Sequence, residues 1–145
     1  MLIVPSQHHE TMLAHAHAGL PNEACGLFAG TIEGDIKTVK AVYSLTNTDQ
    51  SPEHFSMSPE EQFAAIADIR KQGFVLLGNF HSHPATPARA SAEDIRLAFD
   101  PSLSYVIISL QEAKPCLKSF LIRGGIATEE TVEAQLTSPR SDSLF

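Results

Sequence analysis

The chain has 145 residues, 43% of them hydrophobic and 19% charged, and 10 Lys+Arg against 17 Asp+Glu give a formal charge of −7. A domain of this length buries roughly two-thirds of its unfolded surface around one core, and it falls well short of the about 250 residues of a (β/α)8 barrel. The acidic balance argues against gripping a phosphate backbone, which needs clustered Lys and Arg, so no nucleic-acid partner is expected. Cys25 and Cys116 are the two cysteines, which excludes a disulfide framework or a Cys-rich zinc ribbon. The opening MLIVPSQHHE has no basic stretch before its short apolar run, and no segment approaches the roughly 18 apolar residues of a membrane span. A soluble, cytoplasmic protein without membrane contact is the expectation.

Helices and strands alternate along what reads as one domain. Ser6 is placed to cap a helix over 7–19, with Leu13, Ala16 and Leu20 as its apolar stripe and Gly19 and Pro21 as its stop. His8, His9, His15 and His17 fall on that helix; with only Glu10 as a nearby carboxylate they read as a partly solvated face rather than a metal site. CGLFAGTI, the turn Glu33-Gly34-Asp35 and the β-branched IKTVKAVYSL form a hairpin. Ser58-Pro59-Glu60-Glu61 is a helix start, with Ser58 as N-cap, Pro59 at the first helical position and Glu61 completing a capping box. Phe63, Ile66, Ala67 and Arg70 follow at helical spacing, and Gly73 ends the helix. FVLLGNFHSH is a buried strand broken by Pro84, Ser91 caps a third helix over AEDIRLAF, and YVIISL and CLKSFLIR are two further strands, adjacent in the sheet. A short helix near 129–136 and a frayed polar tail over 137–145 complete the reading.

Side chains alternate along a strand, so His81 and His83 share a face while Ser82 points away. Two imidazoles so placed can share one ion, and a carboxylate on the next helix, Asp94, can supply a third ligand. Two histidines and one aspartate leave a position open, the pattern of a catalytic site. Asp94 alone reads equally well as an acidic residue favoured at a helix N-terminus. Glu23 alone is a solvated loop carboxylate, and Ser91 alone a helix cap.

Together these residues resemble a known signature. His81-Ser82-His83-Pro84 followed by Ser91-Ala92-Glu93-Asp94, with Glu23-Ala24-Cys25-Gly26-Leu27-Phe28-Ala29-Gly30 upstream, looks like the pattern of JAMM/MPN+ metalloproteases: a Glu, then His-x-His-Pro, then Ser-x-x-Asp. The resemblance spans roughly residues 1–125 and implies an α/β (α+β) fold: a single compact domain over 1–136 with a curved mixed sheet flanked by helices, like that of cytidine deaminases. It implies Zn²⁺ held by His81, His83 and Asp94 with water as the fourth ligand. It also implies Glu23 as general base and Ser91 as hydrogen-bond donor to the oxyanion. The donor set by itself also accepts Fe²⁺ or Co²⁺. No insertion for gripping ubiquitin chains is visible, so the chain is most similar to small prokaryotic members that cut after the C-terminal Gly-Gly of a ubiquitin-like sulfur-carrier protein. The expected activity is therefore that of a zinc metallopeptidase or isopeptidase, with the carrier as partner and a homo-oligomer left open. The competing reading is a non-catalytic MPN-type interaction module, and a DNA-repair-associated relative is disfavoured by the charge. Cys25 reads as a small buried residue near the site and Cys116 as structural. The loop carrying His54 and Phe55 falls where family members line the substrate channel, and 85–90 reads equally as substrate contact or connector. Gly78-Asn79-Phe80 departs from the bulkier aromatics that many relatives carry before the His pair.

Overall fold

The computed structural model describes residues 1–135; the expected polar tail over 137–145 lies outside the described residues. Elements follow in the order β1 (Leu2–Val4), α1 (Ser6–Gly19), β2 (Cys25–Glu33), β3 (Ile36–Leu45), α2 (Pro59–Gln72), β4 (Val75–His83), α3 (Ala92–Leu97), β5 (Ser104–Ser109), β6 (Cys116–Arg123), β7 (Ile126–Glu130) and β8 (Val132–Ala134). Among the described residues the strands form one mixed sheet in the order β7-β6-β5-β4-β2-β3-β1-β8. β4 and β5 run parallel, as β1 does to both β3 and β8, and the other pairs are antiparallel. β7 and β8 lie at opposite edges yet are joined through Thr131 alone. Two residue steps span at most about 7 Å, so the sheet must curl until its edges meet at that end. No helix of the described residues is long and apolar enough to cross a membrane.

The hairpin forms as its sequence predicts: Gly34, at φ +62°, supplies the left-handed turn and β2 pairs with β3 from Cys25↔Leu45 to Glu33↔Ile36. α1 covers one face of the sheet with Met12 and Ala16, packing on Phe28, Leu77, Phe80, Val106 and Ile108. α2 covers part of the other face, where Ala65 meets Cys25, Leu27 and Leu45. The Ser91 and Ser58 caps are present, each side chain accepting the N–H three residues on.

Five local expectations differ from the structure. The residue capping α1 is Pro5, with no side-chain cap, and Ser6 lies inside the helix; the stripe runs through Met12 and Ala16, while Leu20 is exposed beyond the helix end. The histidines of α1 are not simply solvated: His9 is buried, and His15 Nε2–H reaches the carbonyls of Cys25 at 2.9 Å and Leu45 at 3.0 Å. On α2 the buried residues are Ala65 and Ile69, with the expected Ile66 packed beside them, whereas Phe63 is 81% exposed. Glu61 does not close a capping box; its carboxylate takes the Thr46 N–H at 2.6 Å and hydroxyl at 2.8 Å, donors that only the folded chain brings near. Finally, where a helix near 129–136 was expected, the described residues form the strands β7, ending at Glu130, and β8 over Val132–Ala134, and residue 136 lies outside the described residues. β7 pairs with β6, and buried Glu130 accepts hydrogen bonds from Ser104 and Ser119, both at 2.8 Å. Pairing and these hydroxyls outweigh the helical propensity of an acidic stretch.

β4 carries the feature that sets up the site. Phe28 pairs with Gly78 but Ala29 pairs with Leu76, so Leu77 is an extra residue on β4. This bulge changes the facing parity: Leu77 and Phe80 both enter the α1 core, and Asn79, His81 and His83 face the other way. Gly78 permits it, because a Cβ there would stand 1.9 Å from the Ser104 carbonyl oxygen and 2.8 Å from Phe28.

Candidate active site

The C-terminal end of β4 delivers His81 and His83, respectively 3% and 5% exposed, to one point. Their Nε2 atoms are 3.1 Å apart. Asp94 arrives from the first turn of α3, with Oδ1 3.3 Å from His81 Nε2 and Oδ2 3.3 Å from His83 Nε2. One candidate ligand atom from each of the three residues lies within 4.8 Å of the others. The cap fixes Asp94: Ser91 Oγ accepts its N–H at 3.0 Å, and Asp94 Oδ2 accepts the Ser91 N–H at 2.9 Å.

These positions suit a metal ion. Ligands at the Zn–N and Zn–O distance of about 2.0–2.1 Å around a tetrahedral centre stand roughly 3.3–3.4 Å apart, close to the separations seen. His83 Nδ1–H donates to the Pro87 carbonyl at 2.9 Å, leaving Nε2 free to ligate. His81 Nδ1 is buried with no hydrogen-bond partner among the described residues, so the polar interactions of this ring fall to Nε2. Burial alone would raise the Asp94 pKa, but hydrogen bonds from both histidines and the Ser91 N–H hold it well below the usual carboxylate range. Burial lowers the His83 pKa, and its bonds to Asp94 and Pro87 more than reverse that.

Glu23 sits in the segment between α1 and β2 and is 7% exposed. It is not a solvated loop carboxylate. Burial pushes its pKa up to about 8, with Asp94, Glu93 and Glu53 adding to the rise and His83 opposing it. Its backbone is held from several sides: its N–H donates to the Ser51 carbonyl at 2.8 Å, and Asn47 Nδ2 donates to its carbonyl at 2.9 Å. The next residue is tied to β4, where Ser82 Oγ accepts the Ala24 N–H at 2.8 Å and Ala24 O accepts the Ser82 N–H at 2.9 Å. Ser91 is exposed, with its hydroxyl oxygen engaged in the cap.

Glu23, His81 and Asp94 line one cleft of about 390 Å³. Phe55 stacks on the His81 ring, centroids 4.6 Å apart, and Met57, Leu27, Ile66 and Ile107 extend an apolar wall. The loop before α2 is thus part of the site. Asn47 is its hub: besides Glu23 it donates to the His54 carbonyl at 2.9 Å, and its Oδ1 accepts the Ser56 N–H at 3.1 Å. His54 Nδ1 lies 2.8 Å from Glu93 Oε1, joining this loop to α3. Nothing in the local sequence singles out Asn47 or Ser82, since their partners are distant in the chain. The 85–90 segment is anchored rather than a slack connector: Pro87 bonds His83, Thr86 O accepts the Ser109 hydroxyl at 2.6 Å, and Ala88 is buried. Cys25 is buried and its thiol pKa is pushed up to about 12 by burial, so it is inert. Cys116 is exposed at the start of β6.

A curled mixed sheet with two histidines and an aspartate converging beside a buried glutamate defines the JAB/MPN class of domain. Residues 5–122 match the family described as prokaryotic homologs of the JAB domain, and the chain belongs to that family. It is 32% identical over 133 residues to a CysO-cysteine peptidase of Mycobacterium tuberculosis, covering 91% of this chain and 90% of that protein. It is 34% identical over 99 residues to a probable TtuB-protein conjugate cleaving protease of Thermus thermophilus, covering 68% of this chain and 64% of that one. A solution structure of a Desulfitobacterium hafniense protein matches with a TM-score of 0.86 and 59% identity over 94% of each chain.

Proposed function

We propose that this chain is a zinc-dependent peptidase or isopeptidase that hydrolyses the amide bond following the C-terminal Gly-Gly of a ubiquitin-like sulfur-carrier protein. The observation that carries the reading is the convergence of His81 Nε2, His83 Nε2 and Asp94, 3.1–3.3 Å apart, in the cleft that Glu23 lines. A divalent ion held by those three groups supplies Lewis acidity and lowers the pKa of water toward about 7. The chain's own groups do the rest. The Glu23 carboxylate takes the proton of the attacking water and returns it to the leaving nitrogen; burial raises its pKa, and a cation on His81, His83 and Asp94 would lower it again, so that the carboxylate is available as base. Ser91, whose hydroxyl hydrogen is not used in its cap, donates to the oxyanion. Phe55 over His81 narrows the approach, which suits a substrate tail without side chains.

The names of the relatives support a carrier conjugate as substrate. Purified protein is expected to hold close to one equivalent of zinc by elemental mass spectrometry. It is also expected to release carrier ending in Gly-Gly from a carrier conjugate, with Glu23→Gln abolishing release. Metal-free protein as isolated, or full hydrolysis by Glu23→Gln, would overturn the reading and favour the non-catalytic interaction module.

A further inference from the structure

The proposed chemistry uses none of the histidines of α1, yet one of them reaches the site from behind. His15, in the C-terminal half of α1, faces the rung where β2 begins, at which Cys25 pairs with Leu45 on β3 and with His81 on β4. Its Nε2 lies 2.9 Å from the Cys25 carbonyl and 3.0 Å from the Leu45 carbonyl. Both partners are acceptors, so Nε2 carries the proton and shares one N–H across the rung. The ring also meets Phe80, the residue before His81, edge-on with centroids 6.1 Å apart.

The two chains that leave the sheet at this rung support the base. Glu23 lies just before Cys25 and Asn47 just after Leu45 in the chain, and Asn47 Nδ2 donates to the Glu23 carbonyl at 2.9 Å. Holding the Cys25 and Leu45 carbonyls on one donor therefore fixes the two segments whose hydrogen bond holds Glu23. Close packing does not replace that hold. His15, Gly19, Asn22, Glu23, Thr46 and Asn47 line an open cavity of about 390 Å³ on this side. With space behind it, the Glu23 segment keeps its place through hydrogen bonds. A base must come within about 2.6–3.2 Å of the proton it takes, so it tolerates little drift.

We infer that His15 is a positioning residue for the hydrolysis: its Nε2–H, acting through Cys25, Leu45 and Asn47, holds Glu23 in the cleft beside His81, His83 and Asp94. The inference rests on the proposed hydrolysis and adds to it a residue outside the cleft.

Two substitutions separate the donor from the ring. His15→Phe keeps an aromatic ring against Phe80 and loses the N–H. His15→Gln loses the ring and carries an amide N–H near the position of Nε2. With zinc-loaded protein and a carrier conjugate, His15→Phe should lower kcat by about tenfold to a hundredfold, the cost of misplacing a reacting group by up to about 1 Å. KM and zinc content should stay unchanged, and His15→Gln should recover most of the loss. Amide hydrogen exchange of the same proteins is the second readout. His15→Phe should speed exchange at Glu23 and Ala24, whose N–H groups are bonded to Ser51 and Ser82, and not along β5 and β6. A general loss of stability would speed exchange throughout the sheet. The nitrogen chemical shifts of the wild-type imidazole must also show the Nε2–H tautomer.

Unchanged kcat in His15→Phe, equal losses in both variants, or a wild-type ring protonated on Nδ1 alone overturns the inference and leaves the hydrolase reading intact. Should His15→Phe not fold, His15→Asn takes its place, since its shorter amide falls short of the two carbonyls. If wild-type protein cleaves no conjugate, the hydrolase reading fails. Exchange at Glu23 and Ala24 then decides whether His15 holds the segment, and unaltered exchange in the variant overturns that too.

Discussion

Ser82 and Ala24, 58 residues apart, exchange two hydrogen bonds: Ser82 Oγ accepts the Ala24 N–H at 2.8 Å, and Ala24 O accepts the Ser82 N–H at 2.9 Å. The serine between the two histidines thus sets the position of the residue after Glu23, so Glu23 and the His81–His83 pair are held as one unit. Ser82→Ala leaves a buried N–H unpaired and should cost about 1–3 kcal/mol in denaturant unfolding. Its turnover should fall by more than its zinc content does, since the histidines stay in place. Unchanged turnover would mean that Glu23 is positioned by Asn47 and Ser51 alone.

The buried carboxyl of Glu23 makes stability depend on pH. In the metal-free fold Glu23 keeps its proton up to about pH 8, whereas the unfolded chain loses it near 4.5. Across that window the native state binds more protons, so stability falls as pH rises and is fully present only below 4.5. Chelated Glu23→Gln should therefore gain on chelated wild type as pH increases from 4.5 to 8, by no more than about 1.4 kcal/mol per pH unit. Parallel stability–pH curves for the two proteins would show that Glu23 ionises without penalty.

Metal removal gives a separate check. Without an ion the site brings together two imidazoles and a carboxylate, with His81 Nδ1 unpartnered among the described residues. Zinc should raise Tm in a concentration-dependent way, because an ion that binds the folded chain stabilises it by mass action. His83→Ala and Asp94→Asn should lose that response. Asp94→Asn tests more than charge, since Oδ2 also accepts the Ser91 N–H of the cap. A persistent zinc-induced shift in either variant would place the ion elsewhere.

Gly78 tests the bulge. A Cβ there would meet the Ser104 carbonyl oxygen at 1.9 Å, so Gly78→Ala forces β4 and β5 apart. A loss of about 1–3 kcal/mol or more is expected from thermal or denaturant unfolding, with weakened zinc binding because His81 and His83 end the same strand. Gly34→Ala meets no neighbour within 4 Å and strains only a φ of +62°. It should cost about 1 kcal/mol and leave zinc affinity untouched.

Chemistry-bearing residues were legible because their signals are local. The period-2 placement of His81 and His83, the Ser91 cap with Asp94 in the next turn, and the glycine turn of the hairpin each depend on neighbours within a few positions. So do the acidic charge and the shortness that excluded a barrel. Read together with the upstream Glu23 segment, those features carry the resemblance to JAMM/MPN+ metalloproteases, and it is the resemblance that implied the fold class and the roles of Glu23, Ser91, His81, His83 and Asp94. Tertiary structure decided what depends on distant partners. The bulge at Leu77 settles which face β4 presents, and it is possible only because Gly78 lets the Ser104 backbone approach. Pairing with β6 made 126–130 a strand where composition read helix. Burial turned Glu23 from a loop carboxylate into one whose pKa in the metal-free fold is pushed up to about 8. Folding also placed Phe55 over His81 and put five carboxylates, with no lysine or arginine among the described residues, around one cleft. Burial, pairing and field are sums over residues far apart in the chain, and no window of sequence contains them.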